Sequence, residues 1–431
     1  MDSALPESPT DSVVDLPSWP SLSRSPAYES TEDVYGTGLA WLDIDRDGDA
    51  DLLVAAGNDM RQDALFLYQN VDGVIEQTAS WVSEERAYFG HISVADLNND
   101  GWADVAVSRF LGVDRFDTPG RVEVFLNRGG ALSDEPDWVS PPVYTFSCAL
   151  GDVDGDGDAD LAVAVGEPYH AEPARSLLFA NDGQADFGAA PIWQTEAPRH
   201  SLDVGWLDIN RDGWLDLAFA NIGSGHTVYL NEGGALAATP AWTAPGEDAS
   251  FEGNSLDWGD VDGDGWLDLA ISDNKQLGGV GSTSLYCGPD LERCWESADE
   301  PAFSSAVSLE DLDGDGDPEV VAGAWWGPLR VYQNDAGLPP EPSFVSDTSS
   351  VIEAFGWEDI DGSDRRVVTL VGDRLIEVPG RARVLSVVGG VATDGWISGP
   401  GAIRAEVLAP APRDLAITNW DPNVGNYIFT R

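Results

Sequence analysis

Positive charge is what this chain lacks most. Its 431 residues hold 22 Lys and Arg against 76 Asp and Glu, a formal net charge of −54. That excess excludes nucleic acid and an anionic membrane surface as partners, because both would be repelled. Histidine is scarce as well, with only His91, His170, His200 and His226. No HExxH, GxSxG, P-loop or clustered Cys/His motif is present, so the chain reads as a non-enzyme. His200 falls at the repeat position held elsewhere by Tyr35, Tyr88, Tyr144 and Phe303, which marks it as a packing residue rather than a base. No run approaches the length of apolar sequence that spans a bilayer, and helical periodicity is almost absent. The opening MDSALPESPT is acidic and polar, unlike a signal peptide. Of three cysteines, Cys287 and Cys294 in CGPDLERC bracket a turn between two strands. A disulfide is expected there, which suits an oxidising compartment. Cys148 sits in a core position and reads as a buried hydrophobe.

What is abundant is acid, and it is clustered. Asp152–Gly166 reads DVDGDGDADLAVAVG, with five carboxylates in nine residues followed by an apolar run. Two carboxylates about 4 Å apart repel by roughly 4 kcal/mol at an effective dielectric near 20. A turn that gathers several is costly without a cation. Oxygen ligands at positions 1, 3 and 5 with Gly at position 6 match the first half of an EF-hand calcium loop. Position 12 does not: it is Val163, within a strand-like run. The loop is therefore read as a calcium turn between two strands, closed by the acid at position 9.

The turn recurs. Asp43, Asp45, Asp47, Asp49 and Asp51 form one copy; Asp96, Asn98, Asp100, Trp102 and Asp104 the next. Asp152, Asp154, Asp156, Asp158 and Asp160 follow, then Asp208, Asn210, Asp212, Trp214 and Asp216. Asp260, Asp262, Asp264, Trp266 and Asp268 make the fifth, and Asp311, Asp313, Asp315, Asp317 and Glu319 the sixth. Two degraded copies begin at Asp359 and Glu406 and are expected to bind nothing. Six intact loops imply about six Ca2+ ions, which would leave a charge of −42. The metal explains the clusters, not the global charge.

Around each loop, four strands can be read. The first alternates apolar with small residues, as in Leu39/Trp41 and Val204/Trp206; the second is a run such as LAVAV. The third usually ends in Asn or Gly, both turn formers. The fourth carries an aromatic: Trp81, Trp138, Trp193, Trp242, Trp295, Phe344 or Trp396. Four-stranded units at intervals of 47–56 residues are the pattern of a β-propeller. The expectation is an all-β, eight-bladed propeller in a single domain, residues 1–431, with loops starting at 43, 96, 152, 208, 260, 311, 359 and 406. The last repeat lacks a fourth strand, and residues 13–22, with Trp19, are expected to supply it. Seven blades is the alternative.

These repeats, strand–DxDxDGxxD–LAVA–strand, resemble the FG-GAP/VCBS family, which includes the propeller head of integrin α subunits. The resemblance covers the chain from about residue 13. It implies a calcium-binding propeller that is extracellular, at the cell surface or periplasmic, and works in adhesion or recognition. Eight blades would exceed the integrin number.

The calcium turns share one rim. The opposite rim is where the repeats stop resembling one another, as expected of loops grafted onto a scaffold. SRFLGVDRFDTPG (108–120), VGEPYHAEPA (165–174), GAWWGP (323–328) and NWDPNVG (419–425) are read as rim loops. Their Phe110, Phe116, Tyr169, Trp325, Trp326 and Trp420 could form a stacking platform, or could cap the blades by packing on neighbours. The expected partner is a protein, with a lectin-like glycan site as the alternative and a propeller lyase or hydrolase as the lesser one, and the expected state is a monomer.

Overall fold

The computed structural model describes residues 26–430 except 33, 59–60, 169–170, 247–250, 276–280, 299–302, 336, 347–349, 353–354, 358–366, 374–377, 389–390, 398–406, 409–413 and 418–425. Every regular element among the described residues is a strand. Seven antiparallel sheets have four strands, one has five, and a two-stranded hairpin stands apart.

The first repeat sets the pattern. Gly36–Leu42 runs into the acidic turn, Asp51–Asn58 and Arg61–Tyr68 form a hairpin, and Trp81–Val82 lies outermost. Leu52, Leu53, Val54 and Ala55 in the second strand are at most 1 % exposed. A strand buried on both faces reads as a continuous apolar run, which is why LLVAA does not alternate. The first strand is crowded instead. A Cβ on Gly205 would lie 2.6 Å from Trp258 of the following repeat, and one on Gly151 2.7 Å from Trp206. Small residues there make room for the neighbour's indole.

Successive first strands touch in order around the molecule, from Gly36–Leu42 through Tyr88–Ala95, Cys148–Gly151, His200–Leu207, Gly253–Gly259, Phe303–Glu310 and Phe355–Trp357 to Val407–Leu408, which returns to Gly36–Leu42. The last sheet is completed from the other end of the chain. Tyr28–Glu29 pairs with Tyr427–Thr430, Tyr28 opposite Ile428. Residues 13–22, expected in that role, lie outside the described residues. Tyr28 precedes its acidic turn by 15 residues, the spacing of Trp81 and Trp193 from theirs, so it is the aromatic of that outer strand.

Those outer aromatics join the sheets. Trp81, Trp138, Trp193, Trp242 and Trp295 each meet the third-strand ring of the next repeat edge-on: Phe125, Phe179, Tyr229, Tyr286 and Tyr332, at centroid distances of 4.8–6.0 Å. Each pair is worth about 0.5–1.5 kcal/mol beyond its buried area. The indoles of Trp138, Trp193 and Trp295 also donate to Gly188, Ala237 and Pro339 in the next repeat. Cys287 and Cys294 are joined by a disulfide across the hairpin of Ser282–Cys287 and Glu292–Glu296, and Cys148 is buried and free.

Candidate metal loops and the opposite rim

The six acidic turns share one backbone course. Position 6 is Gly at φ +86° to +103° in all of them: Gly48, Gly101, Gly157, Gly213, Gly265 and Gly316. Position 4 is left-handed too, as Arg46, Asn99 and Arg211 or as Gly. Only Gly takes the larger φ freely, and this fixes the position-6 residue. The path folds polar side chains inward. The position-6 amide donates to the position-1 carboxylate at 2.7–3.1 Å in five turns. In all six, the position-5 amide donates to the side chain at position 3, and the position-7 amide to the carboxylate at position 5.

The result is a nest of oxygens. Ligand atoms of Asp43, Asp45 and Asp51 lie within 4.8 Å of one another, as do those of Asp152, Asp154 and Asp160, of Asp260, Asp262 and Asp268, and of Asp311, Asp313 and Asp315. The turns at 96 and 208 have Asn98 and Asn210 at position 3. Hard, anionic oxygens suit Ca2+. The fifth turn supplies a specific sign of fit: Asp260 Oδ1 is buried with no hydrogen-bond partner, an acceptor that a cation would satisfy. Burial, reinforced by neighbouring acids, raises the carboxyls of Asp154 and Asp313 above the ordinary range.

Position 9 has a further job that its spacing did not reveal. One oxygen of Asp51, Asp104, Asp160, Asp216, Asp268 and Glu319 accepts from the position-2 amide at 2.7–3.0 Å. The other accepts from the amide ending the third strand: Asn70, Asn127, Asn181, Asn231, Gly288 or Asn334. These acids are at most 1 % exposed. Burial pushes Asp51, Asp104, Asp160 and Asp216 up to about 6 and Glu319 to about 7, against the lowering effect of the two amides. Position 9 is a clamp between the first hairpin and the third strand, with lone pairs left for a metal.

The Asn residues at the ends of third strands do more than turn the chain. Asn127, Asn181, Asn231 and Asn334 donate from Nδ2 to the position-2 carbonyls of Ile44, Leu97, Val153 and Val261 in the preceding repeat, at 2.6–2.8 Å. Neighbouring turns also meet directly, position 4 of one against position 6 or 7 of the next. Arg46 lies 4.1 Å over the Trp102 ring, and Asn99 donates to Asp158 at 2.5 Å. A Cβ on Gly155 would lie 2.9 Å from Trp214, one on Gly263 3.7 Å from Asp317, and one on Gly265 3.2 Å from Arg211. The turns thus form a connected belt. Of the position-7 residues placed in the metal set, the side chains of Trp102, Asp158, Trp214 and Asp317 face the adjoining turn, while Asp49 accepts from Gly73. The degraded turn at Asp359 lies outside the described residues. The one read from Glu406 starts too early: Val407–Leu408 is a strand paired with Ala416 and Ile417, as the first strands of other repeats pair with their second strands, and residues 409–413 between them lie outside the described residues.

The opposite rim departs from the expectation. Residues 108–120 are not a loop. They belong to a long hairpin, Asp104–Gly112 and Arg115–Phe125, whose pairing continues through a bulge between Arg115 and Pro119. Phe110 is buried, 3.9 Å from Phe146 and 5.9 Å from Phe116. It caps the sheets and offers no platform. Residues 323–327 likewise lie within the strand Glu319–Gly327. Trp325 and Trp326 are partly exposed at its end, 5.9 Å apart, with Trp326 against Phe303 and held at φ +55°. Tyr169 and Trp420 lie outside the described residues.

With this geometry in hand, known proteins can be compared. A model of the FG-GAP-like repeat matches residues 43–107, 110–163 and 208–271, which contain five of the six turns. Integrin alpha-V of Gallus gallus is 26% identical over 226 residues, covering 47% of this chain and 21% of the relative. Integrin alpha-3 of Mus musculus is 41% identical over 91 residues, covering 19% and 8%. The chain carries FG-GAP-like repeats and is similar in sequence to integrin α subunits. It spans 21% or less of the length of these curated relatives. Among solved structures, the Dos1 propeller matches with a TM-score of 0.57 at 12% identity, over 94% of each chain. BBS1N, from its complex with ARL6DN, matches at 0.50 and 13% identity, over 81% of this chain and 95% of that one. At such identities the likeness shows the fold alone, a β-propeller.

Proposed function

We propose that this FG-GAP-like chain is an eight-bladed, calcium-stabilised propeller that serves as a monomeric adhesion or protein-interaction module outside the cell or in the periplasm. The observation that carries the calcium reading is the sixfold recurrence of one turn. In four turns the oxygens of three acids, at positions 1, 3 and 9 or 1, 3 and 5, lie within 4.8 Å of one another, and in all six the buried position-9 acid is clamped by two amides. Such a cation is structural: it neutralises the turn and fixes the first hairpin, so binding free energy becomes folding free energy. The eight-blade reading is supported by the unbroken succession of first strands. The interaction reading draws on integrin α relatives, the disulfide and the variable opposite rim, where the partner would sit. No helix among the described residues is long and apolar enough to cross a membrane. The non-enzyme reading follows from the same kinship and from a sparse inventory, in which His226 is fully buried beside Asp273.

A glycan partner is the second reading, and the partly exposed Trp325–Trp326 pair favours it. Native mass spectrometry and thermal unfolding test the calcium account together. About six ions should be retained, and excess chelator should lower the melting midpoint by about 10 °C or more. Metal-free mass with an unchanged melt would remove calcium from the function. A glycan array in millimolar calcium then separates the partners: selective binding lost in Trp325→Ala/Trp326→Ala selects the glycan.

A further inference from the structure

Between the first and second repeats lies a half-open cavity of about 350 Å³, lined by none of the acids of the turns. Phe89 and Phe125, each 2 % exposed, give it an apolar wall together with Pro136. At its base is Glu123, 1 % exposed. Glu123 Oε1 accepts from both Arg109 at 2.9 Å and Arg121 at 2.6 Å. Glu123 Oε2 is buried and has no partner. Glu85 accepts from a second nitrogen of each arginine, at 2.9 and 3.2 Å, while Arg109 Nε stays buried without a partner. Two cations are thereby matched to two acids. Glu84, Asp134 and Glu135 then leave the lining with an excess of negative charge.

A buried carboxylate oxygen without a donor is a costly state, and a polar site of this size invites a ligand group. The chemistry of that group is constrained from three sides. The free oxygen and the acids around it call for a cation. The phenyl walls call for an aliphatic stem. Because Oε1 is already used twice, the carboxylate cannot grip a planar guanidinium with both oxygens, whereas an ammonium is a compact charge that one oxygen satisfies. We propose that this cavity is a receptor for a lysine side chain of a protein partner, its ammonium on Glu123 Oε2 and its methylenes against Phe89 and Phe125. The source of the lysine rests on the interaction-module reading; the chemistry of the cavity does not.

The test uses Nα-acetyl-lysine methylamide, with the norleucine and arginine analogues as controls, titrated into the calcium-loaded full chain and followed by amide NMR shifts. The lysine probe should give saturable shifts at Glu85, Phe89 and Arg121. Norleucine should bind at least ten-fold more weakly and arginine several-fold more weakly. Glu123→Gln should abolish the response. Should that variant not fold, Glu135→Lys is the alternative: Glu135 is exposed, so its replacement should keep the melting midpoint yet weaken the lysine probe at least ten-fold. Equal shifts from norleucine, or a lysine response untouched by Glu135→Lys, would overturn the proposal. No response from the folded protein would overturn it too, and leave the cavity to an ordered water only. Such a failure would leave the calcium account standing, because the ion count and the chelator melt do not involve this cavity.

Discussion

The two ends of the barrel of strands are built on opposite principles. On the face of the acidic turns, six turns repeat the same left-handed positions and the same clamp, and adjoining turns touch. Toward the other rim a bulge at the start of the first strand still recurs, but among the described residues the connections differ: one repeat extends a long hairpin capped by Phe110, and another ends in two partly exposed tryptophans. The difference teaches where the ring's coherence resides. Contacts that recur at the junctions between the first six repeats hold adjacent sheets together, and residues released from that duty are free to diversify.

The comparison can be broken first by pH. In chelated protein burial holds the carboxyls of Asp51, Asp104, Asp160 and Asp216 up at about 6 and that of Glu319 at about 7, above the unfolded value near 3.9 for Asp and 4.3 for Glu, and raises Asp268 in the same direction. The native state then binds more protons than the unfolded state between those limits. Stability therefore rises as pH falls from 7.5 through 5.5, by on the order of 1–2 kcal/mol per acid. With calcium bound the direction reverses, because protons compete with the ion. Melting curves at both pH values, with and without calcium, check the crossing; parallel trends would refute it.

Single substitutions follow in descending order. Asp160→Ala leaves two buried amides unpaired and should cost about 2–5 kcal/mol. Asn181→Ala removes the bond to Leu97 of the preceding repeat and should cost about 1–3 kcal/mol. Trp326→Ala, partly exposed on the variable rim, should cost least of the three: about 0.5–1.5 kcal/mol for its ring contact beyond the area it buries. Denaturant unfolding ranks the three, and a rim substitution costlier than the clamp would invert the account.

Positions 1, 3, 5 and 6 of the turns were legible in the sequence because their meaning is local: a Gly that must be left-handed and acids whose spacing a sharp turn brings together. The apolar second strands were legible for a similar reason. What stayed hidden acts at a distance. Asn181 reads as a turn former, yet its side chain reaches a carbonyl 84 residues back. Position 9 reads as a ligand, while its amide partners come from both sides of a hairpin. Phe110 and Phe116 read as loop aromatics because Gly112, Asp114, Asp117, Pro119 and Gly120 punctuate the stretch, but a bulge carries the strand pairing through it. Tyr28 was recoverable from spacing alone, had the closing strand been sought at a fixed distance from its turn rather than at the nearest tryptophan.

The most direct measurement is hydrogen exchange on the calcium-loaded and chelated protein under conditions where both remain folded. The account predicts that removing calcium lowers protection in all six turns together, and at the amides of Asn127, Asn181, Asn231 and Asn334, while the hairpin at 104–125 keeps its protection toward the opposite rim. Unchanged protection in the turns, or loss confined to that rim, would contradict a metal-stabilised belt.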